Sequence, residues 1–325
     1  MSPTSRDRTS IQIGYALSSE EHAPLDLVRH AVLAEEAGFP FALISDHFHP
    51  WIDRQGHSPF VWGVLGAIAQ ATDRLVLGTG VTCPTIRIHP AVIAQAAATA
   101  AALMPDRFFL GVGTGENLNE HVLGDRWPDW DGRAAMLEEA VAVIRDLWRG
   151  EVTSFEGDFY TVENARIYTT PEGDPPVLVS AFGPEATEVA ARIGDGFVTT
   201  SPDADLVSRY REQGGKGPVV ATVKVCWGPD EGAARKTAHQ LWAASGVPGE
   251  ASQELSMPQH FEQAAEHVTP ETLAEKISCG PDPDHHAERL KQYLEAGFDE
   301  IHIGQIGPDQ QGFYDFFANE LIPRL

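Results

Sequence analysis

Strand-like and helix-like stretches alternate along this chain from one end to the other, and that alternation limits its fold more than any other feature. The apolar runs IQIGYAL (11–17), FALISDH (41–47), LVLGTGV (75–81), FFLGVGTG (108–115), PVLVSAF (176–182), DGFVTT (195–200), VVATVKVCW (219–227) and EIHIGQIG (300–307) are nearly unbroken. Parallel strands buried on both faces have this look. Between them PLDLVRHAVLAEEAGF (24–39), PFVWGVLGAIAQA (59–71), PAVIAQAAATAAAL (90–103), RAAMLEEAVAVIRDLW (133–148), PEATEVAARIG (184–194), DLVSRYREQ (205–213), GAARKTAHQLWAAS (232–245) and HHAERLKQYLEAGF (285–298) carry apolar residues at helical spacing. Eight strands alternating with helices predict βαβ units closing into an α/β (β/α)8 TIM barrel, and 325 residues fit one such unit. The expected organisation is a single barrel domain over 1–325 with two insertions. Residues 150–175 read as a short antiparallel excursion, and 246–270 as a polar insertion before the last barrel unit. The terminal GFYDFFANELIPRL has the pattern of an amphipathic helix that seals the barrel.

Charge narrows the partners. Against 23 basic residues stand 47 acidic ones, a formal charge of −24, and such a surface repels nucleic acid and anionic membranes. An anionic cofactor would have to be received by backbone N–H groups. The polar opening MSPTSRDRTS lacks the apolar stretch of a signal peptide, and no run is long enough to span a bilayer. Cys83, Cys226 and Cys279 are odd in number and never form a C-x-x-C pair, which argues against a disulfide framework and a zinc ribbon. A cytoplasmic, reduced protein is expected.

In a barrel, chemistry sits where a strand runs out into its following loop. Strand two ends in Ser45-Asp46-His47 and continues Phe48-His49-Pro50-Trp51: a carboxylate, an imidazole suited to general-base work, and a large aromatic. The alternative on spacing alone is a capping Asp and a structural His. Strand four runs into Gly113-Thr114-Gly115-Glu116, where glycines expose backbone N–H groups and a carboxylate follows. Such a run also serves as plain turn chemistry. Strand three gives Gly78-Thr79-Gly80-Val81-Thr82-Cys83-Pro84. Strand five gives Ser180-Ala181-Phe182-Gly183-Pro184, a helix start of the kind that binds phosphate, although such a turn on its own is more often a plain cap.

Taken together, SDHFHPW (45–51), LGTGVTCPTIRIHPAVIAQ (77–95), FFLGVGTGENLNE (108–120) and the AFGP turn (181–184) resemble the F420-dependent glucose-6-phosphate dehydrogenase group of the luciferase-like oxidoreductases. The resemblance runs from IQIGYA to ELIPRL. It implies hydride transfer between a substrate hydroxyl carbon and the deazaflavin coenzyme F420. His47 matches the group's active-site base, Trp51 the aromatic beside the reacting centre, and Glu116 a proton donor. Asp46 matches a cofactor contact, and Gly80-Val81 a non-prolyl cis peptide against the deazaflavin face, with Cys83 close by as a buried thiol. The phosphate-side contacts carry over to Thr114, Gly115, Asn119, Ala181, Phe182 and Gly183. A homodimer is implied as well.

The sequence departs from the group on the substrate side. Members acting on glucose 6-phosphate hold its phosphate with basic residues after strand six, in the late insertion and before the final barrel unit. Here Thr199-Thr200-Ser201-Pro202-Asp203 has no lysine, 246–270 has neither Lys nor Arg, and only Lys276 keeps a charge. Thr200 and Lys276 remain as substrate contacts, while Arg211, Lys216 or Lys224 would have to approach from elsewhere. The open alternatives are a neutral alcohol or ketone, a sugar phosphate held differently, or an activated alkene reduced by F420H2. An FMN-dependent monooxygenase shares the barrel, and a protein that only stores the coenzyme would lack a reason for His47, Trp51 and Glu116. A metal-dependent hydrolase would use His47, His49 and His302, but no His stands at the ends of strands five and six, so no metal is expected. His285-His286 reads as solvated surface.

Overall fold

The alternation closes into a parallel barrel. The computed structural model describes residues 12–247 and 251–325; the opening decapeptide, Ile11 and residues 248–250 of the late insertion lie outside the described residues. In chain order the elements are β1 (Gln12–Leu17), α1 (Pro24–Glu36), β2 (Phe41–Ile44), α2 (Val61–Ala71), β3 (Val76–Thr79), α3 (Pro90–Leu103), β4 (Phe108–Val112), α4 (Asn117–Glu120) and α5 (Trp130–Trp148). A hairpin of β5 (Thr153–Glu156) and β6 (Thr161–Ala165) precedes β7 (Val177–Ser180), α6 (Pro184–Ile193), β8 (Gly196–Thr199), α7 (Ala204–Glu212), β9 (Val219–Cys226) and α8 (Glu231–Trp242). Short helices α9 (Ala251–Glu254), α10 (Pro258–Ala264) and α11 (Pro270–Ala274) lead to β10 (Ser278–Cys279), α12 (Pro283–Glu295), β11 (Glu300–Gln305) and α13 (Gln310–Phe316).

The sheet order is β10-β9-β11-β1-β2-β3-β4-β7-β8, with β8 pairing back to β9. Without β10, which pairs only beside the end of β9, eight strands form the ring. The start of β9 serves β8 through Phe197↔Val219, while its end takes β10 through Cys279↔Cys226. All ring pairings are parallel, so every strand delivers its C-terminal end to the same mouth.

Two apolar layers hold this arrangement. Outside the sheet, side chains such as Tyr15, Leu65, Ile93 and Ile144 pack between strands and helices. Inside it, Leu43, Phe109, Leu178, Val198 and Val220 fill the barrel. The interior is crowded enough that a Cβ on Gly14 would come within 2.1 Å of the Phe41 ring, and one on Gly78 within 2.3 Å of Phe109. Part of the acid excess is structural: Asp129, Asp203, Asp230, Asp282 and Asp309 each accept backbone N–H bonds at the start of a helix, a role worth about 1 kcal/mol per cap.

Both insertions brace the mouth. The antiparallel excursion at 150–175 is the β5–β6 hairpin, tied down where the Glu139 carboxylate accepts the N–H groups of Asp158, Phe159 and Tyr160. Tyr160 then donates to the Thr85 carbonyl at 2.9 Å. The late insertion is polar in composition yet anchored by Phe261, which is fully buried and meets Trp51 edge-on at 5.2 Å.

One expectation needs correcting. His285 is exposed, but His286 is fully buried, with Ser278 Oγ at 2.8 Å from Nδ1 and the Gly280 carbonyl at 2.9 Å from Nε2. A helix seam that must bind β10 to α12 needs a two-ended polar side chain, and the amphipathic spacing hid this. The terminal helix packs on the barrel's outer layer: Phe313, Tyr314 and Phe317 lie against Tyr15 and Phe39, next to α1. Among the described residues no helix is long and apolar enough to cross a membrane.

Candidate active site

Past the end of β1 the chain reads Ser18-Ser19-Glu20-Glu21, and the first carboxylate becomes the hub of one side of the mouth. Ser18 and Ser45 hydroxyls donate to Glu20 Oε2 at 2.7 and 2.8 Å. His47 Nδ1 stands 3.4 Å from Glu20 Oε1, with both side chains almost wholly buried. This is an ion-pair distance and not an aligned hydrogen bond. Burial works to raise the Glu20 carboxyl, but the facing His47, the Ser18 hydroxyl and the charge of Lys224 outweigh it and hold the group below the ordinary carboxylate range. Trp51 lies edge-on to His47 at 5.1 Å, so Phe261 fixes Trp51 and Trp51 in turn confines the imidazole.

Glu21 behaves differently. It accepts the Gly307 N–H at 2.9 Å and the Trp242 indole N–H, yet burial, reinforced by the Glu20 charge, pushes its carboxyl up to about 7. Lys224, from β9, places Nζ 3.9 Å from the centre of the Trp242 ring. Burial draws its ammonium below the usual lysine range, against the pull of Glu20 and Glu21.

The opposite side is made of backbone. The Gly80–Val81 link is cis. A Cβ on Gly113 would stand 2.9 Å from Val81 Cγ2. Gly115 has φ +78°, and a Cβ there would come within 2.6 Å of Cys83 Sγ. Gly183 caps α6 without any side-chain acceptor on the first-turn N–H groups, and a Cβ added to it would meet nothing within 4 Å.

A cavity of about 160 Å³ opens between the two sides. Of the residues singled out in the sequence, His47, Trp51, Glu116, Gly80, Val81, Phe182 and Thr200 line it. Thr114, Gly115 and Gly183 lie on the loops that carry Glu116 and Phe182 to its wall, and Ala181 is buried behind them. Asp46 is also buried, bonded to the Thr82 hydroxyl at 2.8 Å and to Arg87 at 3.1 Å. Asn119 is spent on the protein: its amide oxygen accepts the N–H groups of Phe48 and His49, and its amide nitrogen donates to Glu116 at 3.3 Å. Cys83 is buried against Thr85, and burial pushes its thiol well up, as befits an inert thiol. Lys276 is exposed, donates to the Ser245 carbonyl at 3.3 Å and does not line the cavity.

Of the three distant cations, only Lys224 reaches the mouth. Arg211 binds Asp299 at 2.7 Å and the Gly217 carbonyl at 2.6 Å, next to the start of β9, and Lys216 precedes that same end. The histidines of a metal site do not assemble: His49 Nδ1 meets the Leu118 carbonyl at 2.8 Å, while His302 lies inside the barrel against Phe41. Among the described residues no three His, Cys, Asp or Glu side chains group as metal ligands.

Sequence reasoning missed Glu20, Glu21, Trp242 and Arg87. The strand-end rule, applied to the first strand as strictly as to the second, would have found the two glutamates. Nothing local marks Arg87 or Trp242, whose partners lie 41 and 221 residues away.

The luciferase-like monooxygenase family profile matches residues 9–300. The F420-dependent glucose-6-phosphate dehydrogenase of Beutenbergia cavernae is 38% identical to this chain, covering 97% of each. The enzyme of that name from Mycobacterium tuberculosis is 38% identical over 97% of this chain and 98% of its own length. Among solved structures, an F420-dependent secondary alcohol dehydrogenase bound to an F420-acetone adduct superposes with a TM-score of 0.91 at 30% identity, covering 97% of this chain and 99% of the other.

Proposed function

The chain belongs to the luciferase-like monooxygenase family, and from that membership we infer an F420-dependent oxidoreductase that moves hydride between a substrate hydroxyl carbon and the coenzyme. The observation that carries the chemistry is the buried Glu20–His47 pair, 3.4 Å apart, on the wall of a cavity that Glu116 also lines.

The residues present fit the deazaflavin. Gly80 lines the cavity without a side chain, a Cβ on Gly183 would meet nothing within 4 Å, and the uncapped start of α6 offers N–H donors to an anionic tail in a chain whose net charge would repel one. Phe182, exposed at 55%, is free to cover a ring or ribityl chain. Bound there, F420 supplies a ring carbon that accepts or returns a hydride.

The side chains manage protons. With Nδ1 turned to Glu20, His47 has Nε2 left for the substrate hydroxyl. As the C–H pair departs as hydride, that nitrogen takes the O–H proton, and the Glu20 carboxylate favours the imidazolium that forms. The alcohol becomes a carbonyl. Glu116, oriented by the Asn119 amide and lining the cavity, would be the proton donor on the coenzyme side. Trp51 and Trp242 keep water from the reacting carbon, and Thr200 offers a hydroxyl to the substrate. Asp46 acts through Arg87 and Thr82 on the loop that holds Gly80 and Val81. The implied assembly is a homodimer acting in the cytoplasm, which sedimentation of the purified chain tests in its first part.

Tryptophan-fluorescence titration with F420, with FMN and NADP as controls, tests the cofactor. Saturable quenching by F420 alone is expected; binding of FMN in its place overturns the assignment.

A further inference from the structure

The wall opposite the glycine loops carries a charge pattern that bears on what the site admits. Among the described lining residues three are carboxylates, Glu20, Glu21 and Glu116, and Lys224 is the one lysine or arginine. Lys224 is already engaged: its Nζ rests 3.9 Å above the Trp242 ring, whose indole N–H is held by Glu21. A phosphomonoester dianion is normally held by at least two cationic groups or a set of backbone donors. Here an anion drawn to Lys224 would enter the field of the two glutamates that also act on that ammonium. Lys276, the remaining candidate, is turned to the Ser245 carbonyl outside the cavity.

The rest of this wall is apolar or weakly polar. Trp51, Trp242 and Ile306 come from one apolar cluster, and Leu43 and Val198 rise from the barrel interior. Thr200 and Thr222 add hydroxyls that suit a neutral oxygen.

We propose that the substrate is an uncharged alcohol with an apolar flank, its carbonyl form being the product, and that Glu20 and Glu21 around Lys224 exclude phosphorylated sugars. This rests on the F420 reading above. The atoms balance as they do there: the carbinol carbon loses hydride to F420, the hydroxyl loses its proton to His47, and no further oxidant is required.

The test uses the full chain loaded with F420. Initial rates of F420 reduction are compared for 2-propanol, cyclohexanol and glucose against glucose 6-phosphate, and the loaded protein is titrated calorimetrically with glucose 6-phosphate and inorganic phosphate. An uncharged alcohol is expected to exceed glucose 6-phosphate in kcat/KM by at least about tenfold, with no saturable heat from either phosphate at about 1 mM. At pH 8, where Glu21 is ionised, Glu21→Gln removes a negative charge and keeps the shape, and should strengthen phosphate binding by about tenfold. Sub-millimolar binding of glucose 6-phosphate to the unsubstituted protein overturns the proposal, as does failure of every uncharged alcohol. An unchanged phosphate affinity in Glu21→Gln overturns the role given to the carboxylates. Absence of F420 quenching at the outset would instead sink the cofactor reading and is recorded separately.

Discussion

The two sides of the mouth are built on opposite principles. Toward β3, β4 and β7 the wall is backbone: a cis link at Gly80–Val81, the Gly113 and Gly115 turns, and the open start of α6 at Gly183. Toward β1, β2 and β9 it is side chain: Glu20, Glu21, His47, Lys224 and Trp242, each positioned by partners far away in sequence. A backbone wall can recognise the constant part of a reaction, since every substrate meets one coenzyme. A side-chain wall can be rebuilt by point changes, which is where relatives sharing this barrel are free to differ in substrate.

The largest effect should come from the side-chain wall. His47→Ala removes the proton acceptor, and turnover is expected to fall by about 10²–10⁴ while F420 affinity changes little. Stopped-flow reduction together with the quenching titration reads both, and a parallel loss of coenzyme binding would break the division between the walls. Glu20→Gln keeps the shape and removes the charge facing Nδ1, so a smaller loss of roughly 10- to 100-fold is expected, confined to kcat. On the backbone wall, Gly115→Ala places a Cβ 2.6 Å from Cys83 Sγ at φ +78°. Strain on the order of 1–2 kcal/mol follows, so F420 should bind about tenfold more weakly, with the pH profile of kcat untouched.

That division also explains what could be read in the sequence. The barrel was legible because its strands are continuous apolar runs and its helices keep their own period, and the backbone wall was legible because glycines announce themselves in short motifs. His47 and Trp51 shared one such motif. Glu20 and Glu21 follow β1 directly, yet two glutamates after two serines resemble any solvated loop until Ser45 and His47 close on them. His286 was misread for a related reason: on a charged helix its buried face shows only when β10 packs against it. The small strand β10 itself, two residues long, carries no periodicity at all.

The finest test concerns Glu21. Its carboxyl stands at about 7 in the folded chain against an ordinary value of 4.5, so the folded state keeps a proton that the unfolded state has released between those values. Stability from this group is therefore present below about pH 4.5 and is lost as the pH rises to 7 and beyond. Glu21→Gln carries no proton to lose, while its amide oxygen can still accept from Gly307. Measured against the parent, the variant should gain roughly 2–3 kcal/mol between pH 5 and pH 8, on the order of 5 °C in Tm by calorimetry. If it is less stable at both values, Glu21 is a satisfied anion tied to Lys224. The ammonium would then be neutralised outright, leaving the substrate wall no frustrated charge to relieve.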